Sequence, residues 1–485
     1  MGLTDRLQDI WPHMAVALTL FISIVTSGNA ILYKRDSRSA VIWVAFVWLA
    51  PILGSVAYLA FGVNRVRLRA RALRGRSSWY QPVPPTISCA PEHSGDLLPK
   101  ELARLKSLAE FIGKVVEKPI EPGNRLKILV NGDEAYPEML EAIRGAKKST
   151  TFCTYIFDND DWGHKFADAL GRAVARGVAV RVLIDDAGAR YSWPSIVSTL
   201  RDLDVPTERF LPTFAPWRLM TMNLRNHRKI VVVDGTIGFT GGMNIRQGHV
   251  LNEPAKRHVQ DLNFKIEGPV VAQLQEAFAD DWFFTTGERL QGAHWYPALR
   301  ECGSVFARTL AAGPDKHFEK LRWAIQGALA CAEKRIQIVT PYFVPDQSLI
   351  SALNVSAMRG VCVDIIMPAV NNLPFVDWAS RAMWWQVLER GCRIWLTPAP
   401  FDHSKLLLVD DAWAMIGSAN WDTRSLRLNF ELNLECYGRE FASEVAAIIH
   451  AKMQSAREVT LAEMDRRSLS LRLRDGLARL LAPYL

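Results

Sequence analysis

The sequence predicts an α/β fold in which two α/β/α sandwich domains, related by a pseudo-twofold axis, follow an N-terminal two-helix transmembrane hairpin. Three observations support this prediction: two long uncharged stretches near the N-terminus, a residue pattern that occurs twice, and apolar segments that alternate with amphipathic ones in both copies. Such apolar strands are typical of sheets that helices cover on both faces. With 485 residues, 49% of them hydrophobic, the chain is long enough for more than one core.

The two uncharged stretches are residues 14–33 and 39–64. Each is long enough to cross a hydrocarbon core, which takes roughly 20 helical residues. A cleaved signal peptide is the alternative, but there is no convincing small-residue cleavage site, and the second apolar stretch follows directly. Lys and Arg residues number one before the first stretch, three in the turn and six between residues 65 and 76. This distribution predicts that both ends of the hairpin, and everything after residue 65, lie on the cytoplasmic side.

The rest of the chain divides by composition and repetition. After the hairpin (residues 1–64) we expect a basic linker with one helix over 65–120, a first sandwich domain over 121–305 and a second over 306–457. Residues 458–485 are predicted to form an amphipathic basic helix. The leucines on one face of that helix are Leu469, Leu473, Leu477, Leu480 and Leu481. This face could pack against the protein body or lie on an anionic bilayer.

The pattern that occurs twice joins six positions in each copy. The first copy is His227, Lys229, Asp234, Gly241, Gly242 and Asn244. The second copy is His403, Lys405, Asp410, Gly417, Ser418 and Asn420. Every member is offset by 176 residues. Identical internal spacing at six positions indicates a tandem duplication, and it predicts that matching residues of both copies meet at a shared interface.

The histidines and lysines of the two copies suit a phosphate diester. Residues two apart in an extended strand point to the same side, so His227 and Lys229 project together, as do His403 and Lys405. One neutral imidazole can attack phosphorus while the other, protonated, supplies the proton that the leaving alkoxide needs. Histidine fits both roles because its unperturbed pKa of about 6.5 lies near working pH. The expected product is a covalent phosphohistidine that an alcohol or water resolves.

Other members of the pattern are expected to support this chemistry. Besides the two lysines, the candidate phosphate-binding residues are Asn244, Asn420, Ser418 and Gly242. Asp234 and Asp410 complete the two candidate catalytic motifs. Because these aspartates end their strands next to a turn, we assign them a structural, charge-orienting role.

Two carboxylates outside the repeated pattern are candidates for orienting the histidines. Glu431, in "LNFELN", is predicted to hydrogen-bond His403 and fix its tautomer, and Asp261, in "VQDLNF", is the predicted counterpart for His227. The alternative for each is an ordinary carboxylate at a strand end.

Charge and cysteine content narrow the class of partner. The net charge of +8 and the pI of about 9.1 favour an anionic partner, either a phospholipid surface or a nucleic acid. The seven cysteines form no CxxC pair, which argues against a disulfide framework or a zinc ribbon. The sequence has no HExxH, Asp-rich loop or Cys/His cluster, so we predict neither a metal nor another cofactor.

The doubled motif HxK(x)4D followed by GG or GSxN resembles that of the phospholipase D superfamily. The surrounding sequence resembles the bacterial cardiolipin synthase branch of that superfamily. The supporting segments include "NLRNHRKIVVVDGTIGFTGGMNI", "TPYFVPDQSLISAL" and "DHSKLLLVDDAWAMIGSANWDTRSLRLNFELNL". The likeness extends from about residue 14 to the C-terminus. The likeness is weaker in "RQGHVLNEPAKRHVQDLNF", which differs from the usual sequence of the family more than its surroundings do.

The resemblance implies the phospholipase D fold and phosphatidyl transfer: one phosphatidylglycerol gives its phosphatidyl group to an enzyme histidine, and a second takes it up to form cardiolipin, with release of glycerol. It also implies that His227 is the nucleophile and His403 the acid and base. The expected partners are phosphatidylglycerol and anionic membrane lipids rather than nucleic acid. The expected location is the bacterial inner membrane, as a multi-pass protein with a cytoplasmic catalytic part.

Three alternatives remain at the level of sequence. A phospholipase that transfers the phosphatidyl group to water would share both motifs. A membrane-tethered nuclease would also share them, although the catalytic part lacks a basic stretch interleaved with aromatic residues. A scaffold that has kept only the fold is disfavoured by the intact His, Lys and Asn residues in both copies. Neither the oligomeric state nor the second phospholipid can be read from the sequence.

Overall fold

The computed structural model describes residues 3–34, 37–62, 90–212, 224–314, 317–480 and 482. These residues fall into two units, Met1–Arg69 and Ala70–Leu485. The arginine-rich stretch expected over residues 65–76 lies outside the described residues.

The first unit begins with one long helix, α1 (Leu3–Tyr33). Within the described part of the chain, its segment Trp11–Tyr33 is the one helix long and apolar enough to cross a membrane. The second apolar stretch forms α2 (Ser37–Leu49), α3 (Pro51–Ala57) and a π-helical turn (Tyr58–Gly62). An uninterrupted second helix, which the sequence suggested, is therefore not what the structure has.

The interruption follows from proline chemistry. Pro51 has no N–H to donate into a preceding helical turn, and its ring would clash with the carbonyl of the residue four positions earlier, so α3 starts anew at this residue. The two segments approach each other closely at Gly54. A Cβ added at this glycine would lie only 2.5 Å from the Phe46 carbonyl oxygen. The Tyr58 hydroxyl donates to Asn29 Oδ1 (2.9 Å) and joins the π-helical turn to α1.

The second unit is built on one sheet of fifteen strands, with two short two-stranded sheets beside it. The strands of the first half are β1 (Glu121–Val130), β2 (Ser149–Thr154), β3 (Ala179–Asp185), β4 (Thr207–Phe210), β5 (Ile230–Val233), β6 (Ile237–Gly241), β7 (Val259–Gln260) and β8 (Leu262–Glu267). The strands of the second half are β9 (Val305–Ala312), β10 (Arg335–Val339), β11 (Phe343–Val344), β12 (Cys362–Pro368), β13 (Arg393–Thr397), β14 (Phe401–Asp402), β15 (Leu406–Val409), β16 (Trp413–Gly417), β17 (Trp421–Asp422), β18 (Glu431–Tyr437) and β19 (Arg457–Val459).

The order of the strands repeats outward from the centre of the sheet. The first half runs β1, β8, β6, β5, β2, β3, β4, and the second runs β9, β18, β16, β15, β10, β12, β13, with β19 added at its edge. The halves join where β1 and β9 pair antiparallel, at Glu121 with Ala307 and Asn124 with Val305. The predicted α/β fold is confirmed. The duplicated halves share one continuous sheet.

Helices cover this sheet. Those of the first half are α5 (Asn131–Gly145), α6 (Asp161–Ala175), α7 (Ile196–Asp202) and α8 (Val271–Thr286), preceded by α4 (Lys106–Val116). Those of the second half are α9 (Lys320–Cys331), α10 (Gln347–Met358), α11 (Pro374–Arg381), α12 (Trp385–Leu388), α13 (Thr423–Arg427), α14 (Arg439–Gln454), α15 (Leu461–Asp465) and α16 (Leu469–Leu480).

Adjacent residues of β2 show that both faces of the sheet are covered. Phe152 is fully buried in a hydrophobic core that it shares with Leu140 of α5 and Leu170 of α6. Thr151, on the opposite face of the strand, donates its hydroxyl to Gln275 of α8 (2.9 Å). Each large apolar side chain buried in this way contributes about 1.5–3 kcal/mol.

The C-terminal helix α16 packs through its polar side. Asp475 is buried and pairs with Arg474 (2.8 Å) and Arg467, and the Arg474 guanidinium lies 4.5 Å from the Trp378 ring of α11. The leucines Leu469, Leu473, Leu477 and Leu480 are 59–70% exposed, and Leu481 lies outside the described residues. The helix therefore packs on the protein body and still presents its leucine face to the exterior.

Candidate active site

His227 and His403 each stand just before a short, fully buried strand of the central sheet, β5 and β15. The backbone N–H of His227 donates to the Phe430 carbonyl (2.8 Å), and that of His403 donates to the Gln260 carbonyl (2.8 Å). Each histidine is thus held by backbone from the opposite half of the unit.

The carboxylate partners are exchanged between the halves in the same way. His227 Nδ1 lies 3.0 Å from Glu431 Oε2, and His403 Nδ1 lies 2.8 Å from Asp261 Oδ2. Both carboxylates are fully buried, whereas the imidazoles keep 12% and 11% of their side-chain surface exposed. We refer to His227–Glu431 and His403–Asp261 as the crossed pairs. The pairing predicted from the sequence, Glu431 with His403 and Asp261 with His227, is wrong.

Strand pairing across the interface explains the exchange. Asp261 directly follows β7, and β7 pairs in parallel with β14, the strand that leads into His403. Glu431 directly follows Phe430, which forms a parallel bridge with Asn226, the neighbour of His227. Each carboxylate therefore lies beside the histidine of the other half, because the segment just before the carboxylate pairs with the segment just before that histidine.

The histidines are neutral at rest. Burial lowers the pKa of His227, although Glu431 acts against this shift. Burial, together with Lys405, Lys229 and His227, holds the pKa of His403 well below its usual range. Since a carboxylate only accepts, each Nδ1 carries the proton and each Nε2 is left with its lone pair.

The lysines of the two motifs lie inside the site. Lys229 Nζ donates to the His227 carbonyl (2.7 Å), and Lys405 Nζ donates to the His403 carbonyl. Burial lowers the pKa of Lys229 to about 7 and that of Lys405 to about 8, so both amines titrate near neutrality. An anionic phosphate beside them would favour their charged forms.

The asparagines and the Gly or Ser of the motifs have different partners in the two halves. Asn244 Oδ1 accepts from the Ile156 N–H (3.1 Å), which leaves its amide N–H groups for a ligand. Asn420 Nδ2 donates to Ser425 Oγ (3.2 Å). Ser418 Oγ donates to Glu431 Oε2 (2.5 Å). Gly242 makes room for the other carboxylate instead, because an added Cβ would lie 2.4 Å from Asp261 Oδ1.

The two motif aspartates bind the backbone that precedes a neighbouring strand. Asp234 accepts from the N–H groups of Lys147, Lys148 and Ser149 at 2.6–3.1 Å. Asp410 accepts from those of Glu333, Lys334 and Arg335 at 2.7–2.8 Å and also from Arg104 Nη1 (2.6 Å). Both lie at the strand end remote from the histidines, roughly 20 Å along an extended chain of seven residues. These contacts are structural.

A single cavity of about 580 Å³ is lined by both histidines and by Asn244 and Asn420. It brings in residues that the sequence did not single out, among them Tyr155, Arg225, Arg246, His249, Tyr342, Asp422 and Arg424. Burial lowers the pKa of His249 to about 3 and raises that of Asp422 to about 6. At its mouth, Leu373 and Phe375 are 46% and 57% exposed. None of these residues has the same residue type at the equivalent position of the other copy, so the repeated pattern does not identify them.

Comparison with known proteins finds related sequences for both the N-terminal part of the chain and the part that contains the sheet. Residues 139–282 and 325–453 match the family described as "Cardiolipin synthase, PLD-like domain", and residues 15–62 match "Phospholipase D-nuclease N-terminal". Cardiolipin synthase A of Pseudomonas fluorescens strain Pf-5 is 32% identical over 98% of this chain and 99% of its own length. Cardiolipin synthase of Staphylococcus aureus strain Mu50 is 28% identical over 93% of this chain and 92% of its own.

Among solved structures, phosphatidylserine synthase of Haemophilus influenzae Rd KW20 superposes with a TM-score of 0.60 at 15% identity. The superposition covers 77% of this chain and 99% of that structure. At this level of identity the likeness shows a shared fold.

Proposed function

The chain belongs to the family of cardiolipin synthases with a PLD-like domain, and we propose on this basis that it is a phosphatidyltransferase that converts two phosphatidylglycerol molecules into cardiolipin and glycerol. The observation that carries the proposal is that the histidines of both crossed pairs line one cavity, each backed by its buried carboxylate. A transfer in two displacement steps needs one nucleophile and one proton carrier, and the cavity holds a histidine for each.

In the first step, His227 Nε2 attacks the phosphorus of the donor lipid. The N–P bond forms as the bond from phosphorus to the headgroup glycerol oxygen breaks, and His403 gives its proton to that oxygen. Glu431 holds the Nδ1 proton of His227 and stabilises the charge that the ring gains. His403 acquires its proton when the phosphate anion enters, because a nearby negative charge raises the pKa of an imidazole.

In the second step, a hydroxyl of the second phosphatidylglycerol attacks the same phosphorus. His403 takes up the hydroxyl proton while the N–P bond breaks, which restores His227 and releases cardiolipin. Lys229, Lys405 and the amide groups of Asn244 and Asn420 offset the charge on the phosphoryl oxygens in both steps.

The location of the protein is part of the proposal. The apolar helix Trp11–Tyr33 supports association with a membrane, and the positive net charge suits anionic lipids. We propose the inner membrane of a bacterium, a second crossing by the broken helix, and a cytoplasmic catalytic unit, from the distribution of Lys and Arg around the hairpin.

The test is to incubate the purified full chain with vesicles that contain phosphatidylglycerol and no other anionic lipid. Cardiolipin with an equal amount of free glycerol is the expected result. Phosphatidic acid with glycerol would identify a hydrolase and overturn the proposal. The His227→Ala variant, purified in the same way, controls for a contaminating lipid enzyme.

A further inference from the structure

Two arginines of the cavity, Arg225 and Arg424, form no close ion pair in the described part of the chain, although each lies near enough to a buried carboxylate, Asp185 and Asp422 respectively, to act on its pKa. Both line the cavity that His227 and His403 also line. Their backbone carbonyls accept hydrogen bonds, but neither guanidinium takes part in an ion pair within 4.0 Å or in a hydrogen bond with the described residues. Arg246, which lines the same cavity, differs because it pairs with Asp158 (2.9 Å).

The duplication does not account for these two arginines. The offset of 176 residues carries Arg225 onto Phe401 and Arg424 back onto Gly248. The residues that the duplication does match are the two His, two Lys and two Asn, which in the proposed function act on the phosphate that both steps of the transfer share. A group that binds only one of the two lipids has no reason to occur twice.

Arg225 is held close to the reacting groups by local geometry. It lies two residues before His227 in an extended segment, so both side chains point to the same side of the chain and their Cα atoms are roughly 7 Å apart. Arg424, in α13, follows Asn420 by four residues and reaches the cavity from the other half. A guanidinium presents paired N–H donors that match two oxygens of a phosphate.

We infer that Arg225 and Arg424 bind the phosphate diester of the second, acceptor phospholipid. This inference rests on the proposed function. The acceptor attacks through a headgroup hydroxyl, so its own phosphate stays several bonds away from the reacting phosphorus, outside the His and Lys cluster but within the cavity. Leu373 and Phe375, exposed at the cavity mouth, favour a phosphate that carries acyl chains over a free phosphate.

The experiment compares two acceptors for the same donor. Full-length protein in phosphatidylcholine vesicles with phosphatidylglycerol is supplied with ethanol, and cardiolipin and phosphatidylethanol are quantified together. For the double variant Arg225→Gln, Arg424→Gln we expect cardiolipin formation to fall at least tenfold, with a higher KM for phosphatidylglycerol as acceptor. Transfer to ethanol, which has no phosphate, should stay within twofold to threefold of the wild type.

The controls separate the possible failures. Arg457→Gln, an exposed arginine paired with Glu463, should change neither product. Arg225→Lys, Arg424→Lys keeps the charge and should recover part of the loss. Equal loss of both products, or no loss of cardiolipin, would overturn the inference, as would equally efficient transfer to soluble glycerol 3-phosphate and to phosphatidylglycerol. A wild type that makes phosphatidylethanol but no cardiolipin would instead overturn the proposed function.

Discussion

The two halves of the catalytic unit carry the same His, Lys and Asn residues but hold them differently. His227 is paired with a glutamate that receives a further hydrogen bond from Ser418, whereas His403 is paired with an aspartate that packs against Gly242. Several cationic neighbours add to the effect of burial in lowering the pKa of His403, and Glu431 opposes the shift at His227. The residues that would touch phosphorus are alike, and the groups behind them have diverged.

The crossed pairs also mean that neither half has a complete site. Each histidine depends on the other half for its carboxylate and for a backbone hydrogen bond. A duplicated chain can therefore assign two different roles to two equivalent histidines, because the environment of each is set by a different segment.

Replacing the histidines should have the largest effect and should show whether the halves have different roles. We expect His227→Ala and His403→Ala each to lower cardiolipin formation by roughly 10⁴-fold. With phosphatidylglycerol labelled at phosphorus and an alkaline quench, which preserves the N–P bond, peptide mapping of the wild type should find the label on His227. A label on His403 would reverse the two roles, and near-normal turnover in either variant would contradict a shared site.

Replacing the carboxylates tests whether each of them acts on the histidine of the other half. Glu431→Gln and Asp261→Asn should each lower turnover by roughly 10²- to 10⁴-fold, because the wrong tautomer of the histidine becomes accessible. In the His403→Ala background, Asp261→Asn should slow labelling of His227 little further, since its partner is already gone, and Glu431→Gln should slow it strongly. The opposite pattern in a rapid-quench measurement would contradict the crossed pairs.

The motif aspartates should affect stability rather than chemistry. Asp234→Ala and Asp410→Ala should each lower the free energy of unfolding by about 1–3 kcal/mol, with the larger loss at Asp410 because it also binds Arg104. Burial acts to raise the pKa of Asp410, but backbone N–H groups and Arg104 lower it overall. Its stabilisation is therefore present above the unfolded pKa of about 4 and is lost as the pH falls through the lower folded pKa. Denaturant titration at pH 7 and pH 3 would measure both effects.

The sequence predicted those features of the site that depend on local spacing or on repetition. The offset of 176 residues identified the doubled His and Lys motif, and the position of Asp234 and Asp410 beside a turn indicated their structural role. The partners of Asp261 and Glu431 were predicted wrongly because they depend on strand pairs between distant segments, β7 with β14 and Asn226 with Phe430. Arg225 and Arg424 are not part of the repeated pattern, because neither has an arginine at the equivalent position of the other copy. The break at Pro51 could have been read from the sequence, since proline seldom continues a helix.

The two buried lysines should make anion binding depend on pH. As the pH rises from 6.5 to 8.5, Lys229 and Lys405 pass through pKa values of about 7 and about 8 and lose their charge in the free protein. Affinity for dihexanoyl phosphatidylglycerol, whose diester charge is constant, should fall about tenfold over this range. Calorimetry on the inactive His227→Ala variant would measure it. Lys229→Met should make the pH dependence smaller, and an unaltered pH profile would contradict this assignment.

The smallest expected effect comes from the position where the two motifs differ. Ser418→Gly gives the second half the residue of the first and removes the hydroxyl that donates to Glu431. It should lower turnover about threefold to tenfold, which corresponds to the net value of about 1 kcal/mol for one typical hydrogen bond. The reverse change, Gly242→Ser, should be far more harmful, because its Cβ would meet the Asp261 carboxylate at 2.4 Å. If the halves were interchangeable, the two substitutions would have equal effects. Unequal losses, with the covalent intermediate forming more slowly in Ser418→Gly, would show that the serine supports the Glu431 side of the site and that the difference between the halves contributes to their separate roles.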